Sequence, residues 1–442
     1  MTYDEALGYI HKRGTSSDGR GLERTRSLLA ALGNPQKKTR FVHVAGTNGK
    51  GSCSSMIAAT LQAQGYRTAL YTSPHLVDFR ERIRVNGEMI PEQEVVSFVE
   101  RFKASGYEGH PSFFELTMMM AFDWFARAEV DYAVIEVGMG GRLDSTNIIT
   151  PLACVITNIS PDHTQFLGST LPAIASEKAG IIKAGIPVTI GEAEGDVRAV
   201  FERKATEQHA PVIFAQDNPQ LLEATPCAEG GFDCETRSFG QLHCELSGQY
   251  QRANINTVLT AVGMMREAGI AISDDAVRKG LAEVGALTGF RGRWTVLSRD
   301  PLTICDTGHN EAGLRYNIAQ LRSLMADRPG ATLRIVLGFV ADKDVDHILG
   351  MLPREARYYF CNAAIPRALP ADELARRARA AGLTGTLHGS VRQAYQAARL
   401  AAELSTPASP LDKMHQPGVQ KIDDIIYVGG STFVVADLLA AL

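Results

Sequence analysis

The segment Gly46-Thr-Asn-Gly-Lys-Gly-Ser52 has the residue types of a phosphate-binding loop. Gly46, Gly49 and Gly51 let backbone N–H groups curl around oxyanions, Lys50 adds a full positive charge, and Thr47, Asn48 and Ser52 complete the turn. The spacing departs from a strict G-x-x-x-x-G-K-[ST] pattern. Counting back from Gly49, the expected first glycine falls at Val44, and Gly51 stands where a hydroxyl residue normally follows the lysine. A turn that merely joins strand to helix is the rival reading, and the lysine in register weighs against it. Glu136, just before Gly138-Met-Gly-Gly141, offers the oxygen ligand that a hard divalent cation on nucleotide phosphates needs. On chemistry alone His163 reads as a structural histidine, because imidazole prefers softer metals, and Lys178 reads as a surface cation paired with Glu177.

These residues need a scaffold, and the apolar pattern supplies one. A β-type run at Phe41 to Ala45 precedes the glycine loop, and a helix is expected from Ser52 to about Gln64, ended by Gly65. Further strands are expected over Thr68–Thr72, Tyr132–Val137 and Leu152–Thr157, with helices between them as in parallel crossovers. Gly46 to Lys50, Ser73, Glu136 and Asp162-His163 then all follow strand carboxyl ends, the edge where open α/β sheets bind ligands. From Gly195 to Gly248 alternating stretches suggest a small antiparallel addition. After Phe290-Arg-Gly-Arg293 a second α/β series begins, with strands at Leu302–Cys305, Leu333–Gly338, Tyr358–Cys361 and Ile425–Val428. Residues 406–424, with three prolines, read as a surface loop.

The length of 442 residues suits two domains, divided near 289–295 into 1–290 and 291–442. Apolar content of 45% and charged content of 21% exclude a disordered polymer or a coiled-coil rod. A net charge of −4 provides no broad attraction for nucleic acid or anionic lipid, so bound anions need a local site. The amino terminus lacks a signal-like pattern and no apolar run approaches the roughly 18 residues of a membrane span, so a cytoplasmic location is expected. The seven cysteines are scattered without a C-x-x-C pair and read as free thiols. Cys227, Cys234, His243 and Cys244 cluster, but their spacing fits no zinc template and they read as ordinary strand residues.

The shortened G-T-N-G-K form resembles the Mur ligase superfamily. With Gly51-Ser52 after the lysine, it is similar to the folylpolyglutamate synthase and dihydrofolate synthase branch. Further family-like segments follow in order: Tyr71 to Ile83, Phe113 to Thr117, Glu136 to Gly141, Asp162-His163 with Leu167-Gly168, Glu177 to Ile181, and Asp306 to Asn310. The resemblance implies a P-loop-type parallel-sheet ATPase domain followed by a smaller Rossmann-like α/β domain. It implies ATP and Mg²⁺ as cofactors, with Ser73, Glu136 and His163 as metal ligands. Ser52 and a carbamylated Lys178 are further candidates, and one or two ions fit. It also implies that Arg293, Asp306, His309 and Asn310 reach the ATP from the second lobe. Lys50, His163, Lys178 and Arg293 form the expected catalytic set. For Gln251 and Asn254 two readings stay open: nucleotide contacts near the adenine, or polar groups at a helix entry. Pro74, His75, Phe79, Arg82, Phe114 and Glu115 are the implied substrate residues. Glu311 stands where the family often has proline, which leaves the helix entry after Asn310 open.

Amide formation in water needs an activated carboxyl group, and ATP supplies it as an acyl phosphate that an amine then attacks. The resemblance makes the amine L-glutamate and the acid dihydropteroate or a folate γ-carboxyl. Partners are then small molecules, without nucleic acid or membrane, and the chain is expected to act as a monomer. Two rivals are a peptidoglycan-precursor ligase of the same superfamily and a phosphate-binding NTPase or kinase without ligation.

Overall fold

The computed structural model describes residues 1–14, 22–107, 110–341, 343–405 and 424–442; most of the proline-bearing segment 406–424 lies outside them. The chain divides into two compact units, residues 1–246 with 250–290, and residues 247–249 with 291–442.

The first unit is built on an eight-stranded sheet. In chain order its strands are β1 (Arg40–Ala45), β2 (Thr68–Tyr71), β3 (Ile83–Val85), β4 (Glu88–Met89), β5 (Tyr132–Glu136), β6 (Ala153–Ile156), β7 (Val188–Ile190) and β8 (Val212–Phe214). Their spatial order is β4-β3-β2-β5-β1-β6-β7-β8, and all run parallel except β3, which is antiparallel to both β2 and β4. Side chains alternate across each strand, so β1 sends Val42 and Val44 into one apolar layer and Phe41 into the other. Both faces are covered, which is why the central strands read as unbroken apolar runs. The carboxyl ends of β5, β1 and β6 lie side by side at the centre, with Val44 opposite both Glu136 and Val155.

The Lys50–Ala63 helix starts earlier than the apolar pattern predicts, because Gly49 turns left-handed (φ 84°) and serves as its N-cap. The antiparallel addition is also shorter than expected. Val197, Val200 and Phe201 recur at helical spacing and bury one face of the Gly195–Glu207 helix, and β8 joins the main sheet. Only β9 (Leu221–Pro226), β10 (Phe232–Thr236) and β11 (Gly240–Cys244) form the antiparallel sheet, whose inner face of Phe232, Cys234, Leu242 and Cys244 packs on the core around the Lys50–Ala63 helix.

The second unit has six strands: β12 (Thr295–Arg299), β13 (Leu302–Cys305), β14 (Leu333–Leu337), β15 (Arg357–Phe360), β16 (Thr384–Leu387) and β17 (Ile425–Gly429). Their order is β12-β13-β17-β14-β15-β16, with only β12 antiparallel. Helices enclose two apolar layers, one around Ile335 and Tyr427 and one around Val336 and Val428. Both units are therefore α/β, and the first is the parallel-sheet unit that carries the glycine loop.

Candidate active site

The glycine loop leaves β1 and is strapped to the segment that leaves its neighbour β6. Thr47 N–H donates to Asn158 O (2.9 Å), Asn48 N–H to Asn158 Oδ1 (3.0 Å), and Ser160 N–H to Thr47 Oγ1 (3.0 Å). Thr157 Oγ1 donates to Asn48 O. Gly46 lies so close to this strap that a Cβ there would sit 1.8 Å from Thr157 Oγ1. Behind the loop, a Cβ at Gly49 would meet Asn254 Oδ1 at 2.2 Å. Gln251 Nε2 donates to Ser52 Oγ (3.2 Å), and Asn254 Nδ2 donates to Gln251 Oε1 (2.7 Å). Gln251 and Asn254 are buried against the loop and its helix; they do not act as side-chain caps of their own helix. Gly51 sits beside Glu136, with space for an ordinary contact.

Two lysines converge on one carbonyl. Lys50 Nζ donates to Gly46 O (3.1 Å) and Thr47 O (3.0 Å), and Lys178 Nζ donates to Gly46 O (2.8 Å). The surface reading of Lys178 is corrected here, since it is buried while Glu177 pairs with Arg142 (2.9 Å). The Gly-Gly turn explains how Lys178 gets in. A Cβ at Gly141 would lie 2.7 Å from Glu177 O, and one at Gly180 would lie 2.4 Å from Arg142 Cα, so only glycines allow the Leu171–Ala179 helix to approach the turn after β5. Burial, and next the charge of Lys50, lower Lys178 from 10.5 to about 7.

That shift predicts a pH signature. Between about 7 and 10.5 the unfolded chain holds the extra proton, so the unfolding free energy should rise with pH, by up to about 1.4 kcal/mol per unit. Lys178→Met should lose this contribution. Urea titrations would show the difference between wild type and variant changing across the window; a constant difference would contradict the buried, weakly basic amine.

Lys50, Lys178, Asp162 and His163 line one cleft with Gly46 and the Gly138–Gly140 turn. His163 is not a packed structural histidine. It adopts φ 49° at the entry of the Thr164–Leu167 helix, its side chain is 45% exposed, and its N–H donates to Asp162 Oδ1 (2.9 Å). Glu136 is buried at the end of β5, and its Oε2 accepts from Ser73 N–H (3.1 Å). The Glu136 carboxylate, buried beside the phosphate loop with the Ser73 backbone against it, is a hard oxygen donor of the kind Mg²⁺ takes, and a serine hydroxyl is another, so these two residue types fit that ion. Lys178, an ammonium or amine as it stands, becomes an oxygen donor only when carbamylated.

The implied substrate residues form a second group. Arg82 is buried and its Nε donates to His75 Nδ1 (2.8 Å), while its guanidinium lies 5.1 Å from the Phe113 ring centre. Burial, and then Arg82, lower His75 to about 4, so it is neutral near pH 7. Phe79 meets His75, Phe113 and His11 edge-on. Phe114 packs on Tyr71 and against Gly138, and Pro74 is exposed next to Ser73. Glu115 has a different environment: its carboxylate accepts from Arg24 (2.6 Å), Thr25 (3.1 Å) and Ser112, closing the capping box of the Phe113–Arg127 helix. His11 and Arg24 carried no signal in the sequence, and their roles emerge only from the fold.

In the second unit the Asp306 carboxylate organises a loop. It accepts from Trp294 N–H (2.8 Å), Gly308 N–H (2.6 Å) and Asn317 Nδ2 (2.7 Å), and Asn317 also binds Tyr427 OH. Thr307 N–H donates to Gly292 O (3.1 Å), so both neighbours of Arg293 are tied to this loop. His309 Nδ1 lies 3.0 Å from Thr307 O; a carbonyl can only accept, so Nδ1 carries a proton. Asn310 caps the Glu311–Ala326 helix through Gly313 N–H (2.9 Å), and Glu311 enters it regularly, paired with Arg315. Asn317 had no motif to reveal it; it is one helical face further along.

The strand–glycine loop–helix unit with its two lysines and the second α/β unit fall within the two domains of a ligase of the Mur type. The Mur ligase middle domain profile matches residues 44–262, and the Mur ligase glutamate ligase domain profile matches residues 292–406. A dihydrofolate synthase/folylpolyglutamate synthase of Bacillus subtilis is 35% identical over 384 residues, covering 84% of this chain and 88% of its own. A Mycobacterium tuberculosis folylpolyglutamate synthase, solved with ADP and AMPPCP, superposes with a TM-score of 0.83 at 29% identity, covering 99% of this chain and 98% of its own. A folylpolyglutamate synthase in complex with AMPPCP and folate gives 0.79 at 30%, covering 100% and 99%. The chain belongs to the folylpolyglutamate synthase and dihydrofolate synthase family and is an ATP-dependent ligase. No helix among the described residues is long and apolar enough to cross a membrane.

Proposed function

We propose that this chain joins the amino group of L-glutamate to the carboxyl group of dihydropteroate, or to the γ-carboxyl of a folate, in the cytoplasm and as a monomer. The observation that carries the reading is the convergence of Lys50 and Lys178 on Gly46 O within a loop strapped to the end of β6. The names of the relatives and the folate-bound neighbour support the choice of acid.

The substrate carboxylate oxygen attacks the γ-phosphorus of ATP, and the bond to the ADP oxygen breaks. The amine nitrogen then attacks the acyl carbon, loses a proton, and inorganic phosphate leaves with the former carboxylate oxygen. Anionic reactants repel each other. Loop amides and Lys50 are assigned to the phosphates, and Arg293 is assigned to the charge that develops on the transferring group, a role that suits a guanidinium. Asp306, His309, Asn310, Gln251 and Asn254 are assigned to nucleotide positioning. Pro74, His75, Phe79, Arg82, Phe114 and Glu115 are assigned to the acid, with Glu115 acting through its capping box. Mg²⁺, one ion or two, would be held by Ser73, Glu136 and His163, with Ser52 and carbamylated Lys178 as further ligands, and would offset phosphate charge.

The acid labelled with ¹⁸O in its carboxylate should pass one labelled oxygen to the released phosphate, and ADP release should require both acid and glutamate. Unlabelled phosphate would exclude the acyl phosphate, and ADP release without glutamate incorporation would mark an NTPase. Turnover that depends on a peptidoglycan precursor would assign the other ligase branch.

A further inference from the structure

Cys227, Cys234, His243 and Cys244 do not form one cluster in the fold. Strand alternation sends Cys234 and Cys244 into the core and turns Asp233 and His243 outward. Asp233 and His243 are direct cross-strand neighbours on β10 and β11, and Cys227 follows the end of β9. The turn carries Cys227 back over that pair: its N–H donates to Gly231 O, and Gly230 N–H returns to its carbonyl (both 3.1 Å). One donor atom from each residue comes within 4.8 Å of the other two. His243 Nδ1 is 3.0 Å from Asp233 Oδ1 and 3.8 Å from Cys227 Sγ.

We propose that Cys227, Asp233 and His243 form a binding site for a zinc-type divalent ion on the outer face of the antiparallel sheet. Tetrahedral bonds of about 2.3 Å to sulfur and about 2.0 Å to nitrogen and oxygen set donors roughly 3.3–3.6 Å apart, a spacing that the two measured separations bracket. Thiolate, imidazole and carboxylate together select zinc over the hard magnesium ion. A nucleophilic thiol is the other use of such a trio, and the geometry opposes it. That arrangement needs the thiol on one ring nitrogen and the carboxylate on the other, whereas here Nδ1 meets both. Burial and the hydrogen bond to Asp233 also raise the Cys227 thiol, the reverse of activation. The ion would tie the end of β9 to the β10–β11 pair, with a fourth position left for water.

Cys227 is the only one of the seven cysteines that is not buried, so a maleimide on the native full chain reports on it alone. With zinc at about ten times its dissociation constant, labelling should slow about tenfold. Cobalt(II) should give a thiolate-to-metal charge-transfer band that zinc abolishes; Mg²⁺ at the proposed active site has no thiolate with which to produce one. Cys227→Ser and His243→Asn should each lose the band while far-UV circular dichroism and glutamate-dependent ADP release stay at wild-type levels. Unchanged labelling of the wild type in zinc overturns the proposal. A band that survives in Cys227→Ser, or zinc protection that survives in His243→Asn, overturns it as well.

Discussion

Lys50→Ala is expected to lower kcat/KM for glutamate-dependent ADP release by about 10³-fold or more, the scale of losing a preorganised charge from a transferring phosphoryl group. Stability should change little. The lysine contributes two hydrogen bonds to loop carbonyls, each worth about 1 kcal/mol, and removing it also relieves the repulsion with Lys178. The same variant makes a second measurement possible. Lys50 is the second cause of the lowered basicity of Lys178 and burial is the first, so Lys178 should move upward in Lys50→Ala yet stay below 10.5. The pH window over which stability rises should therefore narrow from its lower edge. Activity within tenfold of wild type would remove Lys50 from the chemistry, and an unmoved window would show that the two amines do not share the cleft charge.

The scaffold was legible wherever one physical signal dominated. β1, β5 and β6 are buried on both faces, so apolar runs marked them, and the glycine loop was marked by its flanks. β16 is a mostly exposed edge strand, and β3 and β4 are two or three residues long; none of them carries enough apolar alternation to be seen. At the site, positions that depend on local chain were legible, such as Glu136 at a strand end. Long-range contacts were not. Lys178 reads as a surface lysine until Gly141 and Gly180 let its helix close on the loop, and Asn158 and Ser160 gain meaning only because β6 lies beside β1. The outward face of β10 and β11 was lost for a related reason: grouping residues by type put Cys234 with Cys227, while the two-residue period puts it on the other side of the sheet.

Gly46→Ala should be the most damaging single-methyl change in the first unit, through two separable causes. The native φ of +142° is rarely adopted by an L side chain, at a cost of about 1–3 kcal/mol. The new Cβ would also lie 1.8 Å from Thr157 Oγ1 and 3.0 Å from Thr157 Cβ and N. Something must move, and whichever side moves, the strap to Asn48 or the Gly46 carbonyl that receives both lysines is displaced. Nucleotide affinity should fall by about 10²-fold, with about 2–4 kcal/mol lost from stability. Thr157→Ala separates the causes. Alone it removes a hydrogen bond and costs about 1 kcal/mol, yet in the Gly46→Ala background it clears the clashing oxygen. The double variant should then be more stable than the two losses added together predict, by about 0.5–3 kcal/mol, while the φ penalty persists and nucleotide binding recovers only in part. Simple additivity in that cycle would show that the contact with Thr157 is not what reserves position 46 for glycine.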